Sequence, residues 1–284
     1  MAIDLSIARW TSVVAAQQWA REDEALKSLG DEIPEALLAS HALAEVHRLD
    51  LSLFVVFEEA ALRVSGSLTR RAPTQETLNF AAQQTLDEAR HNEQFRRRYR
   101  SARGIARLAP DEGVEAILIP PLKSFIERCY EVADGGSFIE GLTLMNLVLE
   151  GMAYPLYSYE ERYWRTIDPY LSRLVHNAFA DETRHCAFGA NLVRTLLADD
   201  PQKHAQVSKL CREARGAMAE VFRYYVKKFV GLFDAVARRH RELFAGAECA
   251  PGRLIAETPY RDQVAMIHRS IEEGHARLMA AAGL

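Results

Sequence analysis

The pentapeptide DETRH at residues 181–185 repeats, with one change, the DEARH at residues 87–91. Each copy lies in an apolar run with helical periodicity, where unpaired charges are costly. In each copy a glutamate stands three residues before a histidine: Glu88 before His91, and Glu182 before His185. Residues i and i+3 share one face of a helix, so each pair can present an oxygen and a nitrogen to a common point. The repeat therefore suggests a shared ligand site.

The composition of the chain is that of a globular protein and argues against several functional classes. Of its 284 residues, 49% are hydrophobic and 26% are charged, and the formal net charge is −4. This charge argues against nucleic acid as a partner. The four cysteines are scattered and form no CxxC pair, which argues against a disulfide framework or a thiolate zinc site. Apolar runs such as LFVVF at 53–57 are too short to cross a membrane, and the first residues lack a signal-peptide pattern. We therefore expect a cytoplasmic protein without a membrane partner.

Residues that begin helices recur along the chain, and little of it resembles a strand. Asp168 and Asp200, for example, are each followed by a proline, a pairing typical of a helix cap and first turn. The pattern predicts an all-α fold. The predicted helices span residues 4–28, 34–66, 74–102, 121–133, 137–165, 169–198, 201–245 and 259–281.

Four of these helices form two similar halves. In each half, a helix with a lone acid in apolar surroundings precedes a helix with the repeated pentapeptide. Two ExxH helices and one inward glutamate from each of two further helices are the donors from which four-helix bundles build di-iron or di-manganese sites. We therefore predict one helical domain over 1–284, with a metal-site bundle at about 45–195 and additional C-terminal helices over 201–281.

The lone acids are assigned from their neighbours. Glu150 precedes Glu182 by 32 residues and lies in the apolar run LMNLVLEGM. In the first half Glu58 and Glu59 are adjacent, so only one can point inward. Glu58 has the more apolar helix face and is the predicted ligand, with Glu59 as the alternative. The predicted metal ligands are Glu58, Glu88, His91, Glu150, Glu182 and His185.

A third ExxH pair, Glu272 with His275, lacks both a preceding aspartate and a matching acid helix. It is therefore predicted to lie at the surface, outside the metal site.

This arrangement resembles the ferritin-like, ribonucleotide-reductase-like superfamily of di-iron carboxylate proteins. The likeness covers about 45–195 and is strongest to the hydroxylase subunits of bacterial multicomponent monooxygenases, in which DExRH also occurs twice. The resemblance implies a ferritin-like bundle in which Asp87 orients His185 and Asp181 orients His91, since a ligand imidazole needs an acceptor for its second nitrogen. Arg90 and Arg184 would neutralise these aspartates.

Departures from the superfamily narrow the expected reaction. Phe95 stands four residues after His91, where radical-storing reductase subunits have tyrosine. Met145 stands where ligand-binding oxidases have a crosslinked tyrosine, and Ala178 where arylamine N-oxygenases add a histidine. Tyr154 stands where multicomponent monooxygenases have threonine, which argues against close kinship with them.

A substrate pocket is expected beside the metals. Pro155 should break its helix and open space there. The candidate pocket residues are Tyr154, Ala178, Phe179 and Cys186, and Tyr154 is expected to face the metals because it follows Glu150 by one helical turn.

Together these features predict a non-heme di-iron enzyme that activates O2 to hydroxylate or otherwise oxidise a small organic substrate. The expected cofactor is two iron ions, with Mn/Fe as an alternative, and an electron donor such as a reductase or a ferredoxin is implied. A homodimer is one plausible assembly. Alternative functions are a desaturase or N-oxygenase acting on an amine or acyl substrate, free or carrier-bound, and a ferroxidase or iron-binding protein.

Overall fold

The chain folds almost entirely into helices, which confirms the all-α prediction. The computed structural model describes residues 15–106, 114 and 117–284. The first part of the predicted helix 4–28, up to residue 14, lies outside these residues. The α-helices are α1 (Ala15–Leu29), α2 (Glu35–Ala39), α3 (His41–Thr69), α4 (Gln75–Ala106), α5 (Pro120–Gly135), α6 (Phe138–Leu142), α7 (Glu150–Trp164), α8 (Pro169–Leu197), α9 (Pro201–Arg239) and α10 (Tyr260–Ala281).

The predicted helix starts are confirmed where a side chain caps them. The carboxylates of Asp168 and Asp200 accept hydrogen bonds from the third amides of α8 and α9. Such a cap satisfies an amide that has no partner within the helix. Ser40 caps α3 in the same way, and its extended backbone divides the helix predicted over 34–66 into α2 and α3.

The four helices of the two predicted halves form the core of the fold. Helix α3 packs along α4, and α7 packs along α8, so each lone-acid helix lies beside an ExxH helix. Helices α9 and α10 cover this core, and α10 packs against α7 and α8. Among the described helices, none combines the length and the apolar character that crossing a membrane requires.

The irregular part of the second acid helix lies before Glu150. A π-helical segment, Thr143–Leu149, joins α6 to α7, and the amide of Glu150 bonds the carbonyl of Met145, five residues back. The predicted break at Pro155 is wrong, because α7 continues through it to Trp164. A proline inside a helix removes one hydrogen bond, and the packing of α7 against α8 and α10 outweighs that loss. The wider π turn instead changes the direction of the side chains that follow it.

A short β-hairpin was not predicted. Strands β1 (Glu248–Ala250) and β2 (Arg253–Leu254) pair antiparallel in the segment between α9 and α10. Gly252 has a φ of 70°, a conformation that favours glycine at this turn. The guanidinium of Arg162 in α7 donates to the carbonyls of Glu248 and Cys249, which fixes the hairpin against the bundle.

Candidate metal centre

The six predicted ligands lie together in the middle of the four-helix core. Each of the four helices contributes at least one of them, and all six side chains are buried. The contributions are Glu58 from α3, Glu88 and His91 from α4, Glu150 from α7, and Glu182 and His185 from α8. The structure therefore brings together every residue of the predicted ligand set.

The six residues form two overlapping groups. One group comprises Glu58, Glu88, His91 and Glu182, and the other comprises Glu88, Glu150, Glu182 and His185. Within each group, one donor atom from every residue lies within 4.8 Å of the others. Glu88 and Glu182 belong to both groups. The arrangement could hold two metal ions, and these two carboxylates could contribute to both.

Each histidine points one nitrogen into the cluster and the other away from it. His91 Nδ1 lies 3.4 Å from Glu58 and 3.6 Å from Glu182, while its Nε2 lies 3.0 Å from Asp181. On the other side, Nδ1 of His185 lies 3.2 Å from Glu88 and Nε2 lies 3.2 Å from Asp87.

The two predicted hydrogen bonds between aspartates and histidines are thus present. An acceptor on Nε2 places the lone pair of a neutral imidazole on Nδ1, which faces the cluster.

The two adjacent glutamates point in different directions. Glu58 is 1% exposed and points into the cluster. Glu59 points away and pairs with Arg63 at 2.6 Å and with Arg96. The apolar face of α3 therefore predicted the inward residue correctly.

Several buried atoms in the cluster have no hydrogen-bond partner within the described residues. They are both carboxylate oxygens of Glu88, Oε2 of Glu58 and Nδ1 of His91. Unpaired buried polar atoms are costly, and in native proteins they call for an explanation such as an ion. All four atoms belong to the two groups that could hold a metal.

The pKa values of the clustered groups depart strongly from their ordinary values. Burial raises the pKa of Glu58 to about 8 and raises that of Glu150 well above its ordinary value. Burial acts in the same direction on Glu182, but hydrogen bonds from His185 and His91 outweigh it and hold its pKa at about 2. Burial opposes protonation of both imidazoles, yet the nearby carboxylates raise the pKa of each histidine well above its usual range.

Two divalent cations fit this donor set better than protons do. Four ionised glutamates carry four negative charges, which two divalent ions balance while both imidazoles stay neutral. Carboxylate and imidazole groups are also the ligands that iron and manganese accept in helical bundles.

Three polar residues that donate hydrogen bonds to the cluster glutamates were not predicted from the sequence. Gln84 donates to one oxygen of Glu150 at 2.6 Å, and Asn146 donates to the other at 3.0 Å. The hydroxyl of Tyr157 donates to Oε1 of Glu58 at 2.5 Å. The spacing indicated two of them, because Gln84 and Asn146 each stand four residues before a predicted ligand, on the same helix face.

Arg90 does not pair as predicted. It forms ion pairs with Glu22 and Asp23 of α1 instead. Arg184 pairs with Asp181, one turn earlier in its own helix. Burial lowers the pKa of Arg184 to about 10, and the nearby charge of Asp87 opposes this shift. The α1 helix, whose role was not anticipated, therefore supplies the charges that neutralise Arg90.

A cavity of about 970 Å³ lies between α7, α8, α10 and the hairpin. Three of the predicted pocket residues, Tyr154, Phe179 and Cys186, line it. Ala178 does not, because it faces the core and is 1% exposed. Tyr154 packs on Phe179 with ring centroids 4.3 Å apart.

A much smaller opening lies directly at the cluster, on the other face of α7. Besides all four cluster glutamates, it is lined by Phe57, Ala61, Leu149, Ala153 and Tyr157. The tyrosine that reaches the carboxylates is thus Tyr157 and not Tyr154. Seven residues make nearly two full turns, which places Tyr157 closer than Tyr154 to the direction of Glu150.

The third ExxH pair lies outside the cluster, as predicted, but His275 is not at the surface. It is 2% exposed, and burial together with the charge of Arg215 lowers its pKa to about 4. Glu272 pairs with Arg215. His275 is therefore a buried neutral histidine of the packing between α10 and the core.

The donor set and the bundle agree with the comparison to known families. Residues 15–200 match the family model described as Methane/Phenol/Alkene Hydroxylase. The chain belongs to this family. It is thereby a member of the ferritin-like di-iron carboxylate superfamily, and the family match shows that Tyr154 in place of threonine does not exclude kinship with the hydroxylases. No curated protein sequence matches the chain.

Solved structures of R2-like ligand-binding oxidases share the fold. A variant reconstituted aerobically with an Fe/Fe cofactor is 15% identical, with a TM-score of 0.65 over 92% of this chain and 91% of that one. A variant reconstituted anaerobically with a Mn/Fe cofactor is 17% identical, with a TM-score of 0.63 over 92% of each chain. At these identities the similarity establishes the fold alone.

Proposed function

We propose that the protein is a non-heme di-iron oxygenase that uses O2 to hydroxylate a small organic molecule. The observation that carries the proposal is the pair of overlapping four-residue groups that share Glu88 and Glu182. Glu58 with His91 would hold one ion, and Glu150 with His185 would hold the other. Family membership supports hydroxylation over the other oxidations that such a site can perform. The relatives of similar fold carry Fe/Fe or Mn/Fe cofactors, so iron at one or both positions is the expected metal.

When bound, such a metal pair supplies the reduction of O2 and the oxidation of the substrate, with electrons from a reductase or a ferredoxin. The protein fixes the geometry of the site and excludes water from it. Gln84 and Asn146 each donate to one oxygen of Glu150, and Asn146 also donates to the carbonyl of His185 at 3.2 Å. These bonds hold the carboxylate in one orientation.

Tyr157 holds a proton at Oε1 of Glu58. Burial and the negative charge of Glu58 raise the pKa of Tyr157 well above its ordinary value, so its hydroxyl remains a donor at neutral pH. Phe57, Ala61 and Ala153 keep the opening beside the cluster apolar. In such an environment a charge-assisted hydrogen bond is stronger than in water.

The cavity beside the cluster favours an organic substrate over an iron-storage role. A volume of about 970 Å³ is at the upper end of the range for small-molecule sites. A ferroxidase needs no such space.

The proposal is tested by anaerobic loading with ferrous iron, metal analysis and exposure to O2. We expect about two ions per chain and an optical change on O2 addition. Glu88→Ala should remove at least one ion because Glu88 belongs to both groups. His275→Ala is the matched control from the third ExxH pair and should retain both ions. A single bound zinc with no capacity for a second ion, or equal losses in the two variants, would refute the proposal.

A further inference from the structure

The residues that line the large cavity carry a net positive charge. Its wall contains three arginines, Arg162, Arg194 and Arg277, and no aspartate or glutamate among the described residues that line it. The whole chain has a formal net charge of −4. The charge of the lining is therefore opposite in sign to that of the chain as a whole.

The three arginines differ in their hydrogen-bond partners. Arg162 is bound to the carbonyls of Glu248 and Cys249, which makes it part of the hairpin's attachment. Arg194 donates to the neutral side chain of Asn191 at 2.7 Å. Arg277 has no ion pair or hydrogen bond within the described part of the chain, and its guanidinium lies near Gly274. Neither Arg194 nor Arg277 is paired with a carboxylate, so both can bind an anion.

The remaining wall of the cavity is mainly apolar. Phe179, Met266, Ile267 and Leu278 supply much of it. Gly151 admits Leu278 to this wall, because a Cβ at Gly151 would lie 2.5 Å from Cδ2 of Leu278. An apolar chamber with a few cationic groups suits a molecule with an apolar body and an anionic head.

The cavity also reaches the backbone of the metal centre. Gly151, Thr183 and Cys186 line it, and they directly follow Glu150, Glu182 and His185 in the chain. The side chain of Cys186, which lines the cavity, is itself buried. The wall of the cavity thus includes the sequence neighbours of three predicted ligands.

We propose that this cavity binds the substrate, and that the substrate is an organic anion with an apolar body. The inference rests on the proposed function only in calling the ligand a substrate, since the binding site stands on the cavity and its arginines. A cationic amine is disfavoured as the substrate, because the three arginines would repel it.

The site can be tested with two fluorescent probes that differ in one charged group. The anion 8-anilinonaphthalene-1-sulfonate and its neutral analogue N-phenyl-1-naphthylamine have the same aromatic body. Titration of the full chain, metal-loaded and metal-free, should show one tight site for the anion and weaker binding of the neutral probe. Octanoate should displace the anionic probe, whereas octylamine should not.

Substitution of the arginines that can bind an anion gives the decisive comparison. The double variant Arg194→Gln with Arg277→Gln should weaken binding of the anionic probe by about tenfold, the equivalent of about 1.4 kcal/mol, and leave binding of the neutral probe unchanged. Arg269→Gln is the matched control, because Arg269 is an exposed arginine of α10 that does not line the cavity. Circular dichroism confirms that the variants remain folded.

A second variant tests the location without altering charge. Ala187 lines the cavity and is exposed, so Ala187→Phe should fill space without disturbing the core. It should weaken binding of both probes. Equal affinities for the two probes, or an effect of Arg269→Gln equal to that of the double variant, would overturn the inference and leave the metal proposal intact. Arginine-dependent binding in a chain that takes up no second metal ion would overturn the proposed function and leave the binding site in place.

Discussion

Replacement of Tyr157 by phenylalanine removes one hydroxyl from the metal centre and tests which tyrosine serves it. The hydroxyl donates to Oε1 of Glu58 at 2.5 Å, and the two residues are 5% and 1% exposed. Oε2 of Glu58 already has no hydrogen-bond partner among the described residues. In Tyr157→Phe, both oxygens of this buried carboxyl group would lack a donor.

The expected loss follows from that bond. Leaving a buried polar group without its hydrogen-bond partner costs about 1–3 kcal/mol. The free energy of unfolding of the metal-free protein should fall by about 2 kcal/mol. With a urea m-value of about 3 kcal/mol/M, the unfolding midpoint should move by roughly 0.7 M. Metal affinity should also fall, by roughly 10- to 100-fold for a group that orients a ligand.

Tyr154→Phe is the matched control on the same helix. The hydroxyl of Tyr154 forms no hydrogen bond within the described residues, and its ring packs on Phe179. Loss of that hydroxyl should change the free energy of unfolding by less than about 0.5 kcal/mol. Urea unfolding and competition with a metal chelator measure both variants. Equal effects, or a larger effect at Tyr154, would refute the assignment of Tyr157 to the centre.

Three further predictions concern buried residues of the helical core. Asp87→Asn should keep the fold but weaken metal binding by roughly 10- to 100-fold, because an amide is a poorer acceptor for His185; metal competition checks this. Burial raises the pKa of Glu160 from 4.5 to about 7, so the folded state binds a proton more tightly than the unfolded state and stability falls as pH rises through that window. From pH 5 to pH 8, the free energy of unfolding should fall by about 3 kcal/mol less in Glu160→Gln than in the unmodified protein. Urea unfolding at the two pH values measures this difference. Gly189→Ala would place a Cβ 2.4 Å from Cβ of Asn146, and thermal or urea unfolding should show a loss of about 1–3 kcal/mol.

The repeated pentapeptide was enough to predict the candidate metal centre because its information is local. Residues three apart on a helix share a face whatever surrounds the helix. Helix caps such as Asp168 are local for the same reason, and so is the apolar face of α3 that distinguished Glu58 from Glu59. The all-α fold and the ligand cluster were therefore predictable from single segments.

The partners of those segments depend on how the helices rotate and pack. Tyr157, nearly two helical turns after Glu150, took the position expected for Tyr154 because it meets Glu58 of α3 there. Arg90 found its partners on α1, 67 and 68 residues away in sequence.

The sequence by itself therefore determined the helices, the six clustered side chains and the chemistry that they can support, because periodicity and capping act within a few residues. Only the tertiary structure decided which polar groups hold the carboxylates, where the cavity lies and what charge lines it. Those features arise where separate helices meet, and their geometry depends on the packing of the whole core.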